Sequence, residues 1–411
     1  MSEQETRSAG KVVIIGGGLA GYSAATQLRS LGHDDQIIIV DPEPALYDRP
    51  PLSKELFADG FGIDQLSFAT ADELAAKHID TRLGNRVVSL DPSEARVYLD
   101  NGETIEADTV LIATGGRARQ LPIPGADLDG VLTLRNYTDA VAIRDRATAG
   151  STAVVIGAGL IGAELASSLQ RFGVKVTLVD PVTTPLIPAV GELMAQHLHA
   201  MHSRYDVDVV VGVTEKIESA GDKLNVTVDG GPTLSADLVV VGVGIIPNTE
   251  LAEAAGLDVD NGIIVDSHFR TSAERVFAVG DVARRRTDDG ELTRREEHWE
   301  GAQLSGREAA YALLGQPLPE RGAAWFWSDR HGIHLEAVGR LSGPGELVIR
   351  EGTDHPAVFL VDGGLLVGAA SIDDANTVRA ARRLIDQRIP VSADDLADPH
   401  KPLRALLKAA R

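Results

Sequence analysis

A glycine-rich segment that joins an apolar run to a helical pattern occurs twice in this chain. The first copy, KVVIIGGGLAGYSAATQLRSLG, covers residues 11–32, and the second, AVVIGAGLIGAELASSLQRFG, covers residues 153–173. In each copy the apolar run is typical of a strand buried on both faces of a parallel sheet. A second buried strand follows each helix and ends at an aspartate, Asp41 or Asp180. The sequence therefore predicts two βαβ units of the dinucleotide-binding kind, separated by about 140 residues as in a duplicated domain.

The glycines of the first copy have separate roles in such a turn. Gly16 permits the tight turn, Gly18 lets the backbone approach a pyrophosphate, and Gly21 lets the helix pack closely on the strand. The helix N-terminus offers free N–H groups and a positive dipole end to the phosphates. Asp41 and Asp180 are placed to accept hydrogen bonds from the ribose hydroxyls of an adenosine. Two such sites predict two dinucleotides, and hydride transfer favours a flavin paired with a nicotinamide.

Length, charge and composition exclude several classes of protein. A chain of 411 residues exceeds one hydrophobic core and predicts two or three domains. The net charge of −21 argues against nucleic-acid binding. The absence of cysteine excludes disulfides, thiolate metal sites, iron–sulfur clusters of its own and cysteine-based redox relays. We find no apolar run long enough to span a membrane and no signal peptide, and we therefore expect a soluble cytoplasmic protein.

Four further stretches resemble the NADH-dependent ferredoxin reductases of bacterial oxygenase systems, the flavoproteins that feed biphenyl-type dioxygenases or camphor-type cytochromes P450. These stretches are LYDRPPLSKEL (residues 46–56), LIATGG (111–116), VFAVGDVA (276–283) and WFWSD (325–329). The resemblance covers essentially the whole chain, and RPPLSK and FWSD are its most specific marks.

The resemblance implies an α/β fold like that of glutathione reductase, with two Rossmann-like dinucleotide-binding domains and a C-terminal α+β domain. We expect a discontinuous FAD-binding domain at residues 1–115 and 248–320. An NAD-binding domain is expected at residues 116–247, and the C-terminal domain at residues 321–411.

By the same resemblance, one set of residues binds FAD. Gly16, Gly18, Ala20 and Gly21 line the pyrophosphate, and Asp41 binds the adenosine ribose. The remaining expected FAD contacts are Arg49 and Lys54 near the flavin and its diphosphate, Val87 at the adenine, Thr114 and Gly115 near the diphosphate, Arg135 on the phosphate side, Asp281 at the ribityl chain and Trp299 at the pyrimidine end of the flavin.

A second set is expected to bind NADH: Gly157, Gly159, Leu160, Ile161, Gly162, Glu164, Asp180, Gly242 and Glu297. The segment after Asp180, PVTTPLIP, lacks the arginines that receive the 2′-phosphate of NADPH, which favours NADH. On the flavin side the resemblance implies Lys54, Glu164 and Trp327, with Trp327 covering the flavin or the nicotinamide. No protein nucleophile, acid or metal ion is expected to be needed.

The electron acceptor follows from the missing thiols. Relatives that pass electrons through cysteine are excluded, which leaves a one-electron carrier, a small [2Fe–2S] ferredoxin or a rubredoxin. The alternative is a redox-controlled binding flavoprotein that resembles apoptosis-inducing factor. We expect a monomer or a weak homodimer. An acidic ferredoxin is expected to dock on arginines near the flavin, namely Arg284, Arg285, Arg286, Arg294, Arg295 and Arg330, or else on the basic tail around Lys401, Arg404 and Lys408.

Overall fold

A computed structural model describes residues 8–351 and 356–409. Contacts between residues group the chain into two units, which are described separately. Unit 1 consists of Met1–Arg49, Gly62–Arg117 and Ile245–Arg321. Unit 2 consists of Pro50–Phe61, Ala118–Gly244 and Gly322–Arg411.

Unit 1 is built on a parallel five-stranded sheet. Its strand order is Val276–Ala278, Thr109–Ile112, Val12–Ile15, Ile37–Asp41 and Ile79–Leu83. The other strands of the unit are Val87–Asp91, Arg96–Leu99 and Thr104–Glu106 in an antiparallel sheet, the parallel pair Ile263–Val265 and Ala283–Arg285, and Ile245–Pro247. Its helices are Leu19–Ser30, Ile63–Leu66, Ala71–Ala76, Glu250–Ala254 and Trp299–Leu313, with a short 3₁₀ turn at Gly280–Val282.

Alternate side chains of the central strand in unit 1 enter two different cores. Val12 and Ile14 pack in one hydrophobic cluster, and Val13 and Ile15 pack in another. The continuous apolar run is therefore explained by burial on both faces of the sheet, as predicted. On one face the helices Leu19–Ser30 and Trp299–Leu313 pack against each other.

Unit 2 contains a second parallel five-stranded sheet. Its order is Val207–Val211, Lys175–Asp180, Thr152–Ile156, Leu238–Val241 and Val131–Thr133. Beside it lies an antiparallel sheet of Thr214–Ala220, Lys223–Val228 and Thr233–Ala236. The helices of this part are Pro51–Lys54, Tyr137–Arg146, Leu160–Arg171, Ile187–Val190 and Glu192–Arg204, and the short strand Gly116–Ala118 lies where the two units meet in sequence.

The C-terminal part of unit 2 is an antiparallel five-stranded sheet with helices. Its strand order is Trp325–Arg330, Ile333–Gly339, Leu365–Ile372, Ala357–Asp362 and Glu346–Arg350. The helices are Ala375–Asp386, Ala393–Ala397 and Arg404–Ala409. Side chains such as Phe359, Val378 and Leu384 form the core between the sheet and these helices.

The two parallel sheets are organised in the same way around the strand that precedes each glycine turn. In both, that strand pairs on one side with the strand ending in an aspartate and on the other with a strand from later in the chain. This confirms the predicted fold class, two Rossmann-like units followed by an α+β segment. The exact domain boundaries stay a prediction. Within the described residues, no helix is both long and apolar enough to cross a membrane.

Candidate functional site

The first glycine turn (residues 16–21) is shaped by close backbone approaches. A Cβ added at Gly16 would lie 2.3 Å from the carbonyl oxygen of Ala113, and one at Gly21 would lie 2.0 Å from that of Gly16. At Gly18 such a Cβ meets no described atom within 4 Å. Two glycines are therefore required by packing, and the third leaves open space in front of the backbone.

The second glycine turn (residues 157–162) repeats this arrangement. A Cβ added at Gly157 would lie 2.4 Å from the carbonyl oxygen of Gly242. A Cβ added at Gly162 would lie 1.9 Å from the carbonyl oxygen of Gly157. A Cβ added at Gly159 would have no described atom within 4 Å. Gly242, named from the resemblance, is thus the backbone neighbour that Gly157 must approach.

Each turn is followed by a twelve-residue helix whose N-terminus carries no side-chain cap within the described chain. The first helix begins at Leu19 and the second at Leu160. The N–H groups of an uncapped first turn are available to an anion, and the helix dipole favours one there. Open space together with free amides gives both turns the form of a pyrophosphate cradle.

Asp41 and Asp180 have equivalent hydrogen bonds in their own turns. Asp41 accepts from the backbone N–H of Gly17 at 2.5 Å and of Glu43 at 2.8 Å. Asp180 accepts from the N–H of Ala158 at 2.7 Å and from that of Val182 at 2.8 Å. These bonds fix the orientation of each carboxylate, and each oxygen keeps a lone pair for a ribose hydroxyl.

The electrostatic surroundings of Asp41 come from burial and from nearby arginines. The residue is 8% exposed, and this burial raises the pKa of Asp41 above its ordinary value. The amides of Gly17 and Glu43 oppose the shift, as do the charges of Arg49 and Arg86. Arg49, expected near the FAD diphosphate, is therefore close to the Asp41 carboxylate.

The loop after the strand Thr109–Ile112 is held by a reciprocal pair of contacts. The Thr114 hydroxyl donates to the carbonyl oxygen of Asn248 at 2.9 Å, and the Asn248 side chain donates to the carbonyl oxygen of Thr114 at 2.8 Å. Gly115 adopts a φ of 61°, and its carbonyl accepts from the N–H of Asn248. Asn248, which sequence reasoning did not name, thus fixes two expected FAD contacts.

Asp281 lies in the 3₁₀ turn Gly280–Val282, and its carbonyl accepts from Arg295 at 2.8 Å. Gly280, with φ of 72°, approaches Ala20 so closely that an added Cβ would lie 2.9 Å from the Ala20 side chain. Ala20 and Asp281, both expected at FAD, are therefore brought together within unit 1. Arg295 also pairs at 2.6 Å with Glu297, the residue expected at the nicotinamide.

Trp299 begins a helix that is capped by the side chain of His298, which accepts from the N–H of Gly301. Its indole N–H donates to Asp48 at 2.9 Å. Asp48 lies between LY and RPPLSK in the quoted stretch and was not named as a site residue. A tryptophan held by a half-buried acceptor is fixed in orientation, which suits the expected place beside a flavin ring.

Val87 and Arg135, two expected FAD contacts, make contacts within the protein. Val87 is 9% exposed and its side chain packs in a core cluster of unit 1. The N–H of Arg135 donates at 2.8 Å to Asp139, which also caps the helix Tyr137–Arg146 together with Asn136. The expected roles of Val87 and Arg135 stay predictions.

Unit 2 contains a buried ion pair between Lys54 and Glu164, whose Nζ and Oε2 atoms are 2.9 Å apart. The side chains are 14% and 4% exposed. Ser53 donates to Glu164 Oε2 and Ser328 donates to Glu164 Oε1, both at 2.6 Å. The resemblance named Lys54 and Glu164 separately, and the structure brings them together. The two serines were missed because hydroxyls carry no distinctive sequence signal.

Trp327 lies beside this ion pair. The Lys54 ammonium is 5.6 Å from the centroid of the Trp327 ring, within reach of a cation–π interaction. Trp327 also stacks on Trp325 with ring centroids 5.1 Å apart. The three residues expected on the flavin side, Lys54, Glu164 and Trp327, therefore form one cluster.

The expectation that Arg330 docks a partner is wrong. Arg330 is 3% exposed, and its NH2 group donates at 2.9 Å to the hydroxyl of Ser328. The strand Trp325–Arg330 turns this side chain inward rather than to the surface. Three other arginines of the expected docking patch are engaged in ion pairs: Arg284 with Asp260, Arg285 with Glu308 and Arg295 with Glu297.

Comparison with known proteins agrees with this geometry. Residues 10–306 match the family model described as pyridine nucleotide-disulphide oxidoreductase, and residues 325–407 match the model described as reductase C-terminal. The fold and the paired glycine turns thus define a two-dinucleotide oxidoreductase, although this chain has no cysteine for the disulphide chemistry in the family's title.

More specific relatives narrow the class. The chain is 35% identical to the rhodocoxin reductase of Rhodococcus erythropolis, covering 94% of this chain and 92% of that one. It is 34% identical to the biphenyl dioxygenase system ferredoxin–NAD(+) reductase component of Paraburkholderia xenovorans, covering 97% and 98%. The crystal structure of the covalent putidaredoxin reductase–putidaredoxin complex matches with a TM-score of 0.89, 32% identity and 98% and 99% coverage. The chain belongs to the family of ferredoxin–NAD(+) reductases of oxygenase systems, and the predicted resemblance is confirmed.

Proposed function

We propose that this chain is an NADH:ferredoxin oxidoreductase that holds FAD and passes electrons to a small [2Fe–2S] ferredoxin of an oxygenase system. The observation that carries the proposal is the pair of open glycine turns in a chain without cysteine. Two dinucleotides exchange a hydride, and no thiol is present to receive the electrons afterwards. The names of the relatives, reductase components of dioxygenase and rhodocoxin systems, support the same assignment.

FAD supplies the redox chemistry, because it accepts two electrons together and releases them one at a time. We assign its pyrophosphate to the first glycine turn, with Gly18 giving the closest approach and Ala20 and Gly21 beginning the helix. Asp41 holds the adenosine ribose. The other residues that we assign to FAD are Arg49, Lys54, Val87, Thr114, Gly115, Arg135, Asp281 and Trp299.

NADH is assigned to the second glycine turn. Its pyrophosphate lies against Gly159 and the start of the helix at Leu160 and Ile161, and Asp180 accepts from the adenosine ribose. Ile161 is 39% exposed, which fits a residue at the edge of a ligand site. Glu164 and Glu297 are assigned to the nicotinamide end. A carboxylate at the ribose repels a 2′-phosphate, and the nucleotide is therefore NADH rather than NADPH.

With FAD bound, Lys54 would supply a cation that favours negative charge on the flavin. Its ammonium is held by Glu164 and lies against the Trp327 ring, so it needs no reorganisation when the charge appears. The protein's own contribution is thus orientation, exclusion of water and one fixed cation. This proposal requires no protein nucleophile, no acid and no metal ion bound by the chain.

The electron acceptor is assigned to a ferredoxin because the biphenyl dioxygenase relative is named a ferredoxin–NAD(+) reductase component. We place the reaction in the cytoplasm, where NADH is available, and assign a monomer or weak homodimer. Partner docking is assigned to the C-terminal basic surface, defined here as the exposed side chains of Arg379, Arg383, Arg404 and Lys408. These cations are spaced four residues apart on two helices that contact each other. They would attract an acidic partner to a protein of net charge −21.

The test is reduction of cytochrome c by NADH with and without an added ferredoxin. We expect slow reduction by the flavoprotein alone and fast reduction once an oxygenase-type [2Fe–2S] ferredoxin is present. Stimulation by rubredoxin alone would contradict the ferredoxin assignment. No stimulation by either carrier, together with dimerisation on NADH addition in sedimentation velocity, would instead support a redox-controlled binding protein.

A further inference from the structure

Arg330 is a buried arginine that no part of the proposed mechanism uses. It is 3% exposed, and burial lowers the pKa of Arg330 to about 10, with Glu164 opposing the shift. The guanidinium is therefore charged at neutral pH. Among the described residues its hydrogen bond runs to Ser328, and its Nε finds no partner. A buried charge with so few contacts is costly to a fold and calls for a reason.

The hydrogen bond between Arg330 and Ser328 fixes the direction of the next one. An arginine only donates, so the Ser328 hydroxyl accepts from Arg330 at 2.9 Å. A hydroxyl has a single proton, and that proton is therefore given to Glu164 Oε1 at 2.6 Å. Arg330, Ser328 and Glu164 thus form a hydrogen-bonded chain with one direction, from the Arg330 donor through the Ser328 hydroxyl to the Glu164 acceptor.

Glu164 is consequently held from two sides. Ser53 and Lys54 donate to its Oε2 atom, and Ser328, backed by Arg330, donates to its Oε1 atom. With both oxygens engaged, the carboxylate has one orientation. That orientation sets the position of the Lys54 ammonium.

The histidines around Arg330 do not supply an alternative positive charge. Burial, with the charge of Arg330 adding to it, lowers the pKa of His202 to about 3 and the pKa of His331 to about 4. Burial also lowers the pKa of His199, an effect that Asp180 opposes and Arg330 reinforces. At neutral pH His202 and His331 therefore add no positive charge beside Arg330.

We propose that Arg330 is a positioning residue for hydride transfer, acting through Ser328 to lock the Glu164 carboxylate and hence the Lys54 ammonium in one arrangement. This rests on the proposed function of Lys54 at the flavin. Arg330 is not among the residues that we assign to either dinucleotide. Arg330 is buried, whereas the sequence analysis expected it to be exposed on a docking surface.

A double-mutant cycle tests whether Arg330 acts through Glu164. In urea unfolding of the holoenzyme, Arg330→Met is expected to lower the midpoint in the wild-type background, because the carboxylate loses a buried countercharge. In a Glu164→Gln background the same change is expected to leave the midpoint unchanged or raise it, because it then removes an uncompensated cation. Such a change in the effect of Arg330→Met between the two backgrounds shows that Arg330 and Glu164 are energetically coupled, because mutations at independent sites have additive effects.

Arg350→Met is the matched control. Arg350 is also buried, at 7% exposed, but its guanidinium donates to the backbone carbonyls of Leu396 and Asp395 and lies over Phe359. Its loss is expected to lower the midpoint equally in both backgrounds. An equal lowering by Arg330→Met in both backgrounds would overturn the proposal.

The second readout is single-turnover reduction by NADH. Arg330→Met is expected to slow hydride transfer about ten- to a hundredfold while the Kd for NADH changes little, because positioning acts on the reacting geometry rather than on binding. Arg330→Lys, which keeps the charge, is expected to recover part of the rate. An unchanged rate in Arg330→Met would overturn the proposal. If the protein only failed to reduce ferredoxin, the result would count against the proposed function. The unfolding midpoints and the rate of reduction by NADH would still test the role of Arg330, because neither measurement uses ferredoxin.

If Arg330→Met does not fold, Ser328→Ala replaces it in both measurements. This change removes one hydroxyl and leaves the arginine in place. It is expected to slow hydride transfer in the wild-type background and to have less effect on the unfolding midpoint when Glu164 is already glutamine. The proposal would be overturned if Ser328→Ala shifted the unfolding midpoint equally in both backgrounds and left the rate of hydride transfer at the wild-type value.

Discussion

Lys54 Nζ lies 2.9 Å from Glu164 Oε2, although the two residues are separated by 110 positions in the chain. If this ammonium stabilises charge on the reduced flavin, Lys54→Met is expected to slow reduction by NADH about a hundredfold. Glu164→Gln is expected to slow it less, because the lysine remains but is no longer fixed. Stopped-flow absorbance at the flavin band measures both. Lys175→Met, a change of an exposed lysine in the same unit, is the control and should match the wild type.

The choice of nicotinamide nucleotide is expected to depend on Asp180. A 2′-phosphate about 4 Å from a carboxylate costs roughly 4 kcal/mol per charge pair at an effective dielectric of about 20, which is up to about three decades in affinity. Asp180→Asn removes the charge and should narrow the ratio of kcat/KM values for NADH and NADPH. Asp206→Asn, at an exposed aspartate of the same unit, should leave the ratio unchanged. Equal kcat/KM values in the wild type would contradict the NADH assignment.

Acid should destabilise the fold through two buried histidines. His202 and His331 lie 3.0 Å apart across a ring-nitrogen hydrogen bond, and their pKa values are lowered by burial from 6.5 to about 3 and about 4. Below pH 6.5 the unfolded chain therefore binds more protons than the folded one. The melting temperature is expected to fall as the pH decreases from about 6.5 towards about 4.

His331→Asn should flatten that pH dependence, because it removes one of the two groups that must stay neutral. Asparagine suits the site, since His331 has a φ of 50°. His78→Asn is a matched control, because His78 is exposed and has a φ of 54°. An identical slope of melting temperature against pH in wild type and His331→Asn would show that His331 does not contribute.

Docking of the ferredoxin is expected to respond to charge reversal on the C-terminal basic surface. Arg404→Glu with Lys408→Glu should raise the KM for ferredoxin steeply at low salt and less at high salt, because screening weakens long-range steering. Turnover with ferricyanide should be nearly unchanged. The comparison variant is Arg286→Glu with Arg294→Glu, since these two arginines of the patch expected from sequence are exposed. A larger effect in that variant would place docking near the flavin motif.

The sequence predicts those parts of the fold and the site that depend on contacts between residues close together in the chain. The close backbone packing at Gly16 and Gly21 could be predicted, because a tight turn is decided by neighbouring backbone atoms. The aspartates that end the second strands were predicted for the same reason. Local patterns of this kind need no knowledge of the tertiary fold.

The pairing of Lys54 with Glu164 and the burial of Arg330 were beyond such reasoning. Each depends on which face of a strand or helix turns inward after distant segments have packed together. Arginine is rarely buried unless it is paired, so the sequence favoured an exposed Arg330. Ser328, the hydrogen-bond partner of Arg330, gives no signal of its own, because a hydroxyl serves equally well on a surface.

The central claim, transfer from NADH through FAD to a one-electron carrier without a thiol, is tested most directly by counting electrons anaerobically. Because the chain has no cysteine, dithionite titration should deliver two electrons per bound FAD, and the protein reduced by one NADH should reduce two molecules of oxidised ferredoxin. Uptake of four electrons would require a second redox centre, and reduced FAD that leaves the ferredoxin oxidised would require another acceptor. Either result would contradict the account.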